Sequence, residues 1–339
     1  MGELMLSILI PTAGRGEVLP VVLESASRES QSVDHPTEIV VIDNNSNEKL
    51  TRCIRQQCNS ANSRVRYIRE PSPGLTAARH RGADEAAGEL LVFLDDDVEL
   101  GQGWLAGVLE GFSDSNVGIV GGPSIPRFGG SVPAWFWDFV TPTPYGGWHC
   151  TWLSLLDIGQ AVDDIHPNYV WGLNFGIRRS VLGELGGFHP DLVPSHLQRW
   201  QGDGETGLTM KAKADGVRAR YVPQALLYHL VGPDRLTLDY FSQRARYQGV
   251  CDSFTQLRAG SAFADALPNS PVPTAANVAR PWEVAAAEVY RRTAQAYREG
   301  FEFHQREAAN DPRLMQWIRR DSYWGADILA EAKTINENA

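Results

Sequence analysis

The 339-residue chain is 43% hydrophobic and 21% charged, which suits one large α/β unit with an appendage and a core that needs no disulfide or metal to hold it. Its formal charge of -10 and pI near 5.3, with no Lys/Arg-rich block, argue against a polyanion-binding surface. Nucleic acid is therefore not an expected partner.

At the N-terminus, Leu4 to Ile10 is a short apolar run that stops at Pro11 with no basic stretch ahead of it, unlike a secretory signal. No segment approaches the roughly 20 apolar residues that cross a bilayer. Cys53, Cys58, Cys150 and Cys251 are scattered without C-x-x-C spacing, as suits a reducing compartment. The expected location is cytoplasmic, with peripheral attachment at the inner membrane face left open.

The runs LSILIP, EIVVID, VRYIRE and LLVFLD are compact, β-branched and mostly apolar, as expected of strands covered on both faces of a parallel sheet. Val18 to Ser30, Glu48 to Asn59 and Leu75 to Ala87 lie between them and are long enough for crossover helices. The pattern is a doubly wound sheet, in which ligands bind beyond the carboxyl ends of the strands. Those ends carry Pro11-Thr12, Asp43-Asn44-Asn45-Ser46, Glu70-Pro71 and Asp95-Asp96-Asp97. Asp also ends strands as a turn former, so Asp43 alone says little and the set says more.

Three adjacent carboxylates after a buried strand repel one another unless a cation or hydrogen-bond donors compensate. Hard carboxylate oxygens suit Mg²⁺ or Mn²⁺, and such an ion between protein and pyrophosphate stabilises a departing nucleoside diphosphate. The competing reading is an Asp-rich turn capping the helix that begins near Trp104. After the first strand, PTAGRGEVL lacks G-x-G-x-x-G, and no P-loop signature occurs elsewhere.

Pro123 to Tyr169 is rich in Pro, Gly and Trp and shows little periodicity, so it reads as an irregular insertion, a lid or wall of a site. Trp135, Trp137, Trp148 and Trp152 have the faces to stack on sugars, although a given tryptophan more often packs a core. Further on, Ser261 to Arg280 reads as a linker, followed by an amphipathic helical pair at Trp282 to Glu307 and Asp311 to Ala332. Its apolar face packs on the preceding domain or joins two chains as a homodimer.

LSILIPTAGR, EIVVIDNNS, PGLTAARHRGADEAAGELLVFLDDD, WGLNFGIRRS and ALLYHLV, in this order, resemble the motifs of the inverting family 2 glycosyltransferases over residues 4 to 250. The resemblance implies an α/β chain of GT-A type: a doubly wound, mostly parallel sheet with helices on both faces, plus the helical C-terminal extension. The expected division is a catalytic domain at 1–259, with a nucleotide-binding half at 1–122 and an acceptor-binding half at 123–259, a linker at 260–280 and the extension at 281–339. The implied reaction moves a sugar from a nucleotide-sugar, a UDP-sugar, to a hydroxyl of an unknown acceptor, with Mn²⁺ or Mg²⁺ on the diphosphate.

The resemblance also places residues. Pro11, Thr12 and Asp43 surround the nucleobase, with Asp43 accepting from its imide N–H. Gly74 lies against base or ribose, and Arg79 near the diphosphate or sugar, with His80 and Arg81 on the surface. Asp96 contacts the ribose, Asp97 the metal, and Asp95 supports base or sugar. His229 ends the apolar run Ala225 to Tyr228 and completes the metal site. Trp171-Gly172-Leu173-Asn174 forms the loop beneath the transferred sugar, with Asn174 bonding hydroxyls, and Trp200 borders the acceptor.

The catalytic base is where the chain departs from the family, whose members commonly carry Glu-Asp, then x-Asp/Glu-Leu and a later Arg. Here the segment reads GDGETGLTMK, Gly202 to Lys211. Counting back from Leu208 and Lys211 places Glu205 at the catalytic Asp and Gly204 at the preceding Glu. Asp203 is the alternative base, and both acids also suit the cap of the following helix. Two other function classes remain: a nucleotidyltransferase that makes nucleotide-sugars, for which PTAGRGEVL is a poor signature, and a catalytically inactive glycan-binding scaffold.

Overall fold

The computed structural model describes residues 4–14, 17–61, 65–260 and 281–333; the linker expected at 260–280 falls, from 261 on, outside the described residues. Strands β1 (Leu6–Thr12), β2 (Thr37–Asp43), β3 (Val65–Arg69) and β4 (Leu90–Leu94) pair in parallel in the order β4-β1-β2-β3. Their apolar runs serve two cores, because successive side chains leave opposite faces. Leu6, Ile8, Ile10, Val92 and Leu94 enter one layer, whereas Leu9, Val40, Ile42 and Phe93 enter the other. Helices α1 (Leu19–Ser32), α2 (Glu48–Ala61) and α4 (Trp104–Gly111) cover the first layer; α3 (Leu75–Glu85), α5 (Arg179–Glu184) and α6 (Glu205–Ala214) cover the second.

In chain order the remaining strands are β5 (Val98–Leu100), β6 (Val117–Gly121), β7 (Ser124–Phe128), β8 (Thr141–Pro142) and β9 (Trp148–Cys150). Then come β10 (Leu155–Asp157), β11 (Val162–Ile165), β12 (Asn174–Arg178), β13 (Arg218–Tyr221) and β14 (Leu227–Val231). The main sheet continues past β4 as β12, β6, β13 and β11, with β12 antiparallel to both neighbours. A second sheet runs β5-β14-β7-β10-β9-β8. The expected irregular insertion is therefore corrected: Pro123 to Tyr169 supplies most of this second sheet, in strands of two to five residues that are too short to show an alternating pattern. Trp135, Trp148 and Trp152 pack in its core with Phe136, Phe139 and Phe241, and Trp137 is 57% exposed.

The C-terminal part is helical. Helix α7 (Leu238–Ala259) packs along α8 (Pro281–Asn310), and a pair of glycines allows the close approach. A Cβ on Gly249 would lie 2.1 Å from the Tyr297 carbonyl oxygen, and one on Gly300 would lie 1.9 Å from that of Arg246. The extension thus uses its apolar face within the chain. Its expected second helix is broken into α9 (Pro312–Ile318) and α10 (Ile328–Lys333). Tyr323 ends the first piece by donating its hydroxyl to the carbonyls of Trp317 (2.5 Å) and Ile318 (3.2 Å). Among the described residues no helix is long and apolar enough to cross a membrane.

His80 is a second correction: it is buried, not on the surface, because the chain around Tyr323 covers it. Its Nε2 accepts from Phe188 N at 2.9 Å, and its ring stacks on Trp324 at 5.4 Å. Burial, helped by Arg79, holds its pKa down to about 3, and burial holds that of His304 to about 4. Both are neutral in the fold and protonate near 6.5 when unfolded, so their contribution is intact above that pH and lost as pH falls toward the folded values. By pH 4 each costs about 3 kcal/mol. Tm is expected to drop steeply between pH 6.5 and 4, and His304→Gln should flatten the drop; an unchanged curve would overturn the assignment for His304.

Candidate active site

The residues expected around a nucleobase do meet. Parallel pairing sets Thr12 beside Asp43, and the Thr12 hydroxyl donates to Asp96 Oδ2 at 2.6 Å, tying the ends of β1, β2 and β4 together. Pro11, Thr12, Asp43 and Asp96 are all buried. Asp43 Oδ2 accepts from the Tyr67 hydroxyl at 2.7 Å, and Oδ1 accepts from Asn45 N at 3.2 Å and from the Asn45 side-chain amide. A base reaching Asp43 must therefore displace or share these donors. Burial and then Asp43 push the Cys58 thiol up to about 11 and hold the Tyr67 phenol above its ordinary value. Gly74 opens α3 at φ 115°, where its N–H donates to Asn44 Oδ1 at 3.1 Å.

Asp97 and His229 also come together. Antiparallel pairing of β14 with β5 sets His229 opposite Val98, and Leu230 N donates to the Asp97 carbonyl at 2.9 Å. His229 Nε2 lies 3.6 Å from Asp97 Oδ2. The carbonyl of Leu153 lies 2.8 Å from His229 Nδ1, which must be the protonated nitrogen, so the lone pair is on Nε2. One hard oxygen and one imidazole nitrogen fit a divalent cation. Arg235 joins the two, with Nη2 2.5 Å from Asp97 Oδ2 and Nη1 2.8 Å from His229 Nε2. Among the described residues no group of three such ligands forms.

Arg79 links this side of the crevice to the acid of α6. It is 3% exposed, with Nη1 3.2 Å from Glu205 Oε2, Nη2 3.9 Å from Asp95 Oδ1, and its guanidinium over the Phe188 ring at 4.9 Å. Glu205 Oε1 accepts from Gly172 N at 3.2 Å. A Cβ on Gly172 would lie 2.3 Å from Arg79 Nη2 and 3.0 Å from Glu205 Oε1, so a larger residue there would have to push the Arg79 and Glu205 side-chain ends aside. The Glu205 side chain is 30% exposed.

Asp203 differs. Its side chain is 2% exposed, Oδ1 sits 2.6 Å from His189 Nδ1, and Oδ2 accepts from the Thr255 hydroxyl at 2.6 Å. Oδ1 holds the connection between α5 and α6 to itself through His189, and Oδ2 ties it to α7 through Thr255.

Two expected contacts are corrected. Asn174 is buried at the start of β12, where its amide donates to the Ala225 carbonyl at 2.8 Å and accepts from Trp104 Nε1 at 3.0 Å. Its side chain ties the start of β12 to α4 and to the turn before β14. Trp200 is 1% exposed and packs edge-on against Trp317 at 5.8 Å, while its carbonyl accepts from Trp317 Nε1. The C-terminal extension buries it. Trp171 stays partly exposed, its Nε1 donating to the Asn168 carbonyl at 2.9 Å.

Sequence reasoning missed Arg235 and Tyr67. Arg235 sits six positions past His229 in a short 3-10 turn, Pro233–Leu236, where no periodicity marks it. Tyr67 lies in β3, next to a strand end that was read, and its alternation with Ile68 was the available signal.

The model of a family described as glycosyl transferase family 2 matches residues 7–186. A probable N-acetylgalactosaminyltransferase 9 of Caenorhabditis elegans is 26% identical over 202 residues, covering 57% of this chain and 34% of that protein. A GalNAc(5)-diNAcBac-PP-undecaprenol beta-1,3-glucosyltransferase of Campylobacter jejuni is 31% identical over 127 residues, 37% of this chain and 40% of that one. The chain thus spans between a third and two fifths of the length of these two relatives. A mannosyltransferase structure from Pyrobaculum calidifontis, in complex with GDP-Man and Mn²⁺, aligns over 100% of this chain and 89% of its own at 17% identity and a TM-score of 0.51, a likeness of fold. With the family match spanning more than half of its residues and the GT-A sheet on the page, the chain belongs to glycosyl transferase family 2.

Proposed function

We propose that this protein is an inverting glycosyltransferase that moves a sugar from a nucleotide-sugar, a UDP-sugar, to an acceptor hydroxyl, with Glu205 as the base. The observations that carry this are the approach of His229 to Asp97 and the contacts of Arg79 with both Asp95 and the half-buried Glu205, which support a reading with a cation held by the first pair and a base at Glu205. The glycosyltransferase names of both curated relatives support the reaction class.

Glu205 removes the acceptor proton as that oxygen attacks the anomeric carbon, and the bond to the diphosphate breaks on the opposite side. Arg79 steers the Glu205 carboxylate through its Nη1 contact with Oε2. Glu205 is preferred over Asp203 because a base must reach its substrate, and Asp203 has both oxygens engaged inside the protein. Asp97 and His229 would hold Mn²⁺ or Mg²⁺, which when bound supplies positive charge to the leaving diphosphate. Arg235 gives up its place between them and meets the diphosphate instead. Pro11, Thr12, Asp43, Gly74 and Asp96 frame the nucleoside, and Trp171 walls the sugar.

The test is thermal stabilisation by nucleoside diphosphates with and without Mn²⁺. A shift with UDP that needs Mn²⁺ is expected, and at 100-fold over Kd it corresponds to about 2.7 kcal/mol. No shift with any diphosphate would favour a scaffold. Release of pyrophosphate from a sugar phosphate and a nucleoside triphosphate would mark a nucleotidyltransferase.

A further inference from the structure

A neutral imidazole has one lone pair to give. In His229 the proton is on Nδ1, facing the Leu153 carbonyl, so the lone pair is on Nε2, and Arg235 Nη1 lies 2.8 Å from it. The other arm of the same guanidinium, Nη2, lies 2.5 Å from Asp97 Oδ2. The two acceptor atoms are 3.6 Å apart, so one planar fork spans both. A divalent cation held by Asp97 and His229 needs the same Nε2 lone pair. Arg235 and the cation therefore exclude each other, because the lone pair bonds once and two positive charges at contact distance repel.

The backbone that carries Arg235 is fixed on both sides. Arg235 N donates to the Gly232 carbonyl at 3.1 Å, Leu236 is buried in the core of the second sheet, and the Thr237 hydroxyl donates to the Asp234 carbonyl at 2.9 Å and accepts from Tyr240 N at 3.2 Å. The Arg235 side chain is 16% exposed, at the edge of the site, and among the described residues its bonds go to Asp97 and His229 alone. Exchange with a cation thus needs only a swing of this side chain, with the turn and the sheet left in place. The swing costs two charge-assisted hydrogen bonds. A diphosphate replaces both, since its oxygens match the guanidinium fork and its charge offsets that of the incoming ion.

We propose that Arg235 is a latch on the cation site: in the nucleotide-free protein its guanidinium holds Asp97 and His229, and a diphosphate that draws it off admits Mn²⁺ or Mg²⁺, so that cation and nucleotide bind together. This rests on Asp97 and His229 being the cation pair of the proposed transferase. A latch closed in about nine molecules of ten weakens the apparent affinity for the ion about tenfold. The coupling is reciprocal, so the ion strengthens nucleotide binding by the factor by which the nucleotide strengthens binding of the ion. A purely structural arginine would behave otherwise: its removal would lower Tm and leave affinity for the ion unchanged.

The test is titration of the full chain with Mn²⁺ alone, read by the electron paramagnetic resonance signal of the free ion. Arg235→Ala is expected to bind Mn²⁺ about tenfold more tightly than the parent without nucleotide, and adding Asp97→Asn should abolish the gain. UDP should then tighten Mn²⁺ binding about tenfold less in Arg235→Ala than in the parent, because the latch no longer has to open. Arg235→Lys keeps the charge and loses the fork, so it should fall between the two, and it decides if Arg235→Ala does not fold. Mn²⁺ affinity within about twofold of the parent in the folded variants would overturn the proposal, as would a gain that survives Asp97→Asn. Failure of the transferase reading shows separately, as a parent that UDP does not stabilise at any Mn²⁺ concentration. Normal UDP and Mn²⁺ stabilisation beside an absent gain sinks the latch alone.

Discussion

Glu205→Gln is expected to lower the rate of sugar transfer by about 10²- to 10⁴-fold, the range that a positioned general base contributes. The fold should survive, because the amide oxygen can still accept from Gly172 N and Arg79 keeps Asp95 as a counter-charge. On the proposed reading donor binding should persist as well, since Glu205 is not among the residues proposed to hold the nucleotide or the cation. The measurement is single-turnover transfer at saturating donor beside UDP-induced stabilisation. Full transfer in Glu205→Gln would remove it from the mechanism. Asp203→Asn serves as the contrast: it weakens the bonds to His189 and Thr255, so its main effect should be on Tm.

The second large effect is expected at the cation pair. Asp97→Asn keeps an oxygen for Arg235 but removes the charge that a divalent ion needs, so Mn²⁺-supported turnover should fall by more than about 10²-fold. The same variant should lose the Mn²⁺-dependent part of UDP stabilisation while its metal-free Tm stays near that of the parent. His229→Gln should act in the same direction, more weakly, because a neutral ligand contributes less to a hard cation than a carboxylate does. Stabilisation by UDP and Mn²⁺ that persists in Asp97→Asn would place the ion elsewhere.

Local sequence was enough for some of this and not for the rest. The strands β1 to β4 and helices α1 to α3 were readable because the burial of a parallel sheet leaves continuous apolar runs that end in polar clusters. Asp95 to Asp97 stood out because they follow the buried strand β4, and strand ends converge in a doubly wound sheet, whereas His229 lies inside β14 and stood out only as the polar residue after an apolar run. Glu205 was placed by counting from Leu208 and Lys211, yet the same string left Asp203 as an alternative.

What only the tertiary structure decided is which polar groups spend their hydrogen-bonding capacity inside the protein. Asn174, Trp200 and His80 carry chemistry suited to ligands, but Ala225 and Trp104, Trp317, and Phe188 with Trp324 take it up. These partners lie 51 to 244 positions away in the chain, and a buried donor or acceptor is costly to leave unpaired, so long-range packing overrides local character. By itself the sequence determined the parallel core and the carboxylates at its edge, since burial and strand ends are written in local pattern. The competence of each carboxylate was decided in three dimensions, where exposure and partners set what a group is able to touch.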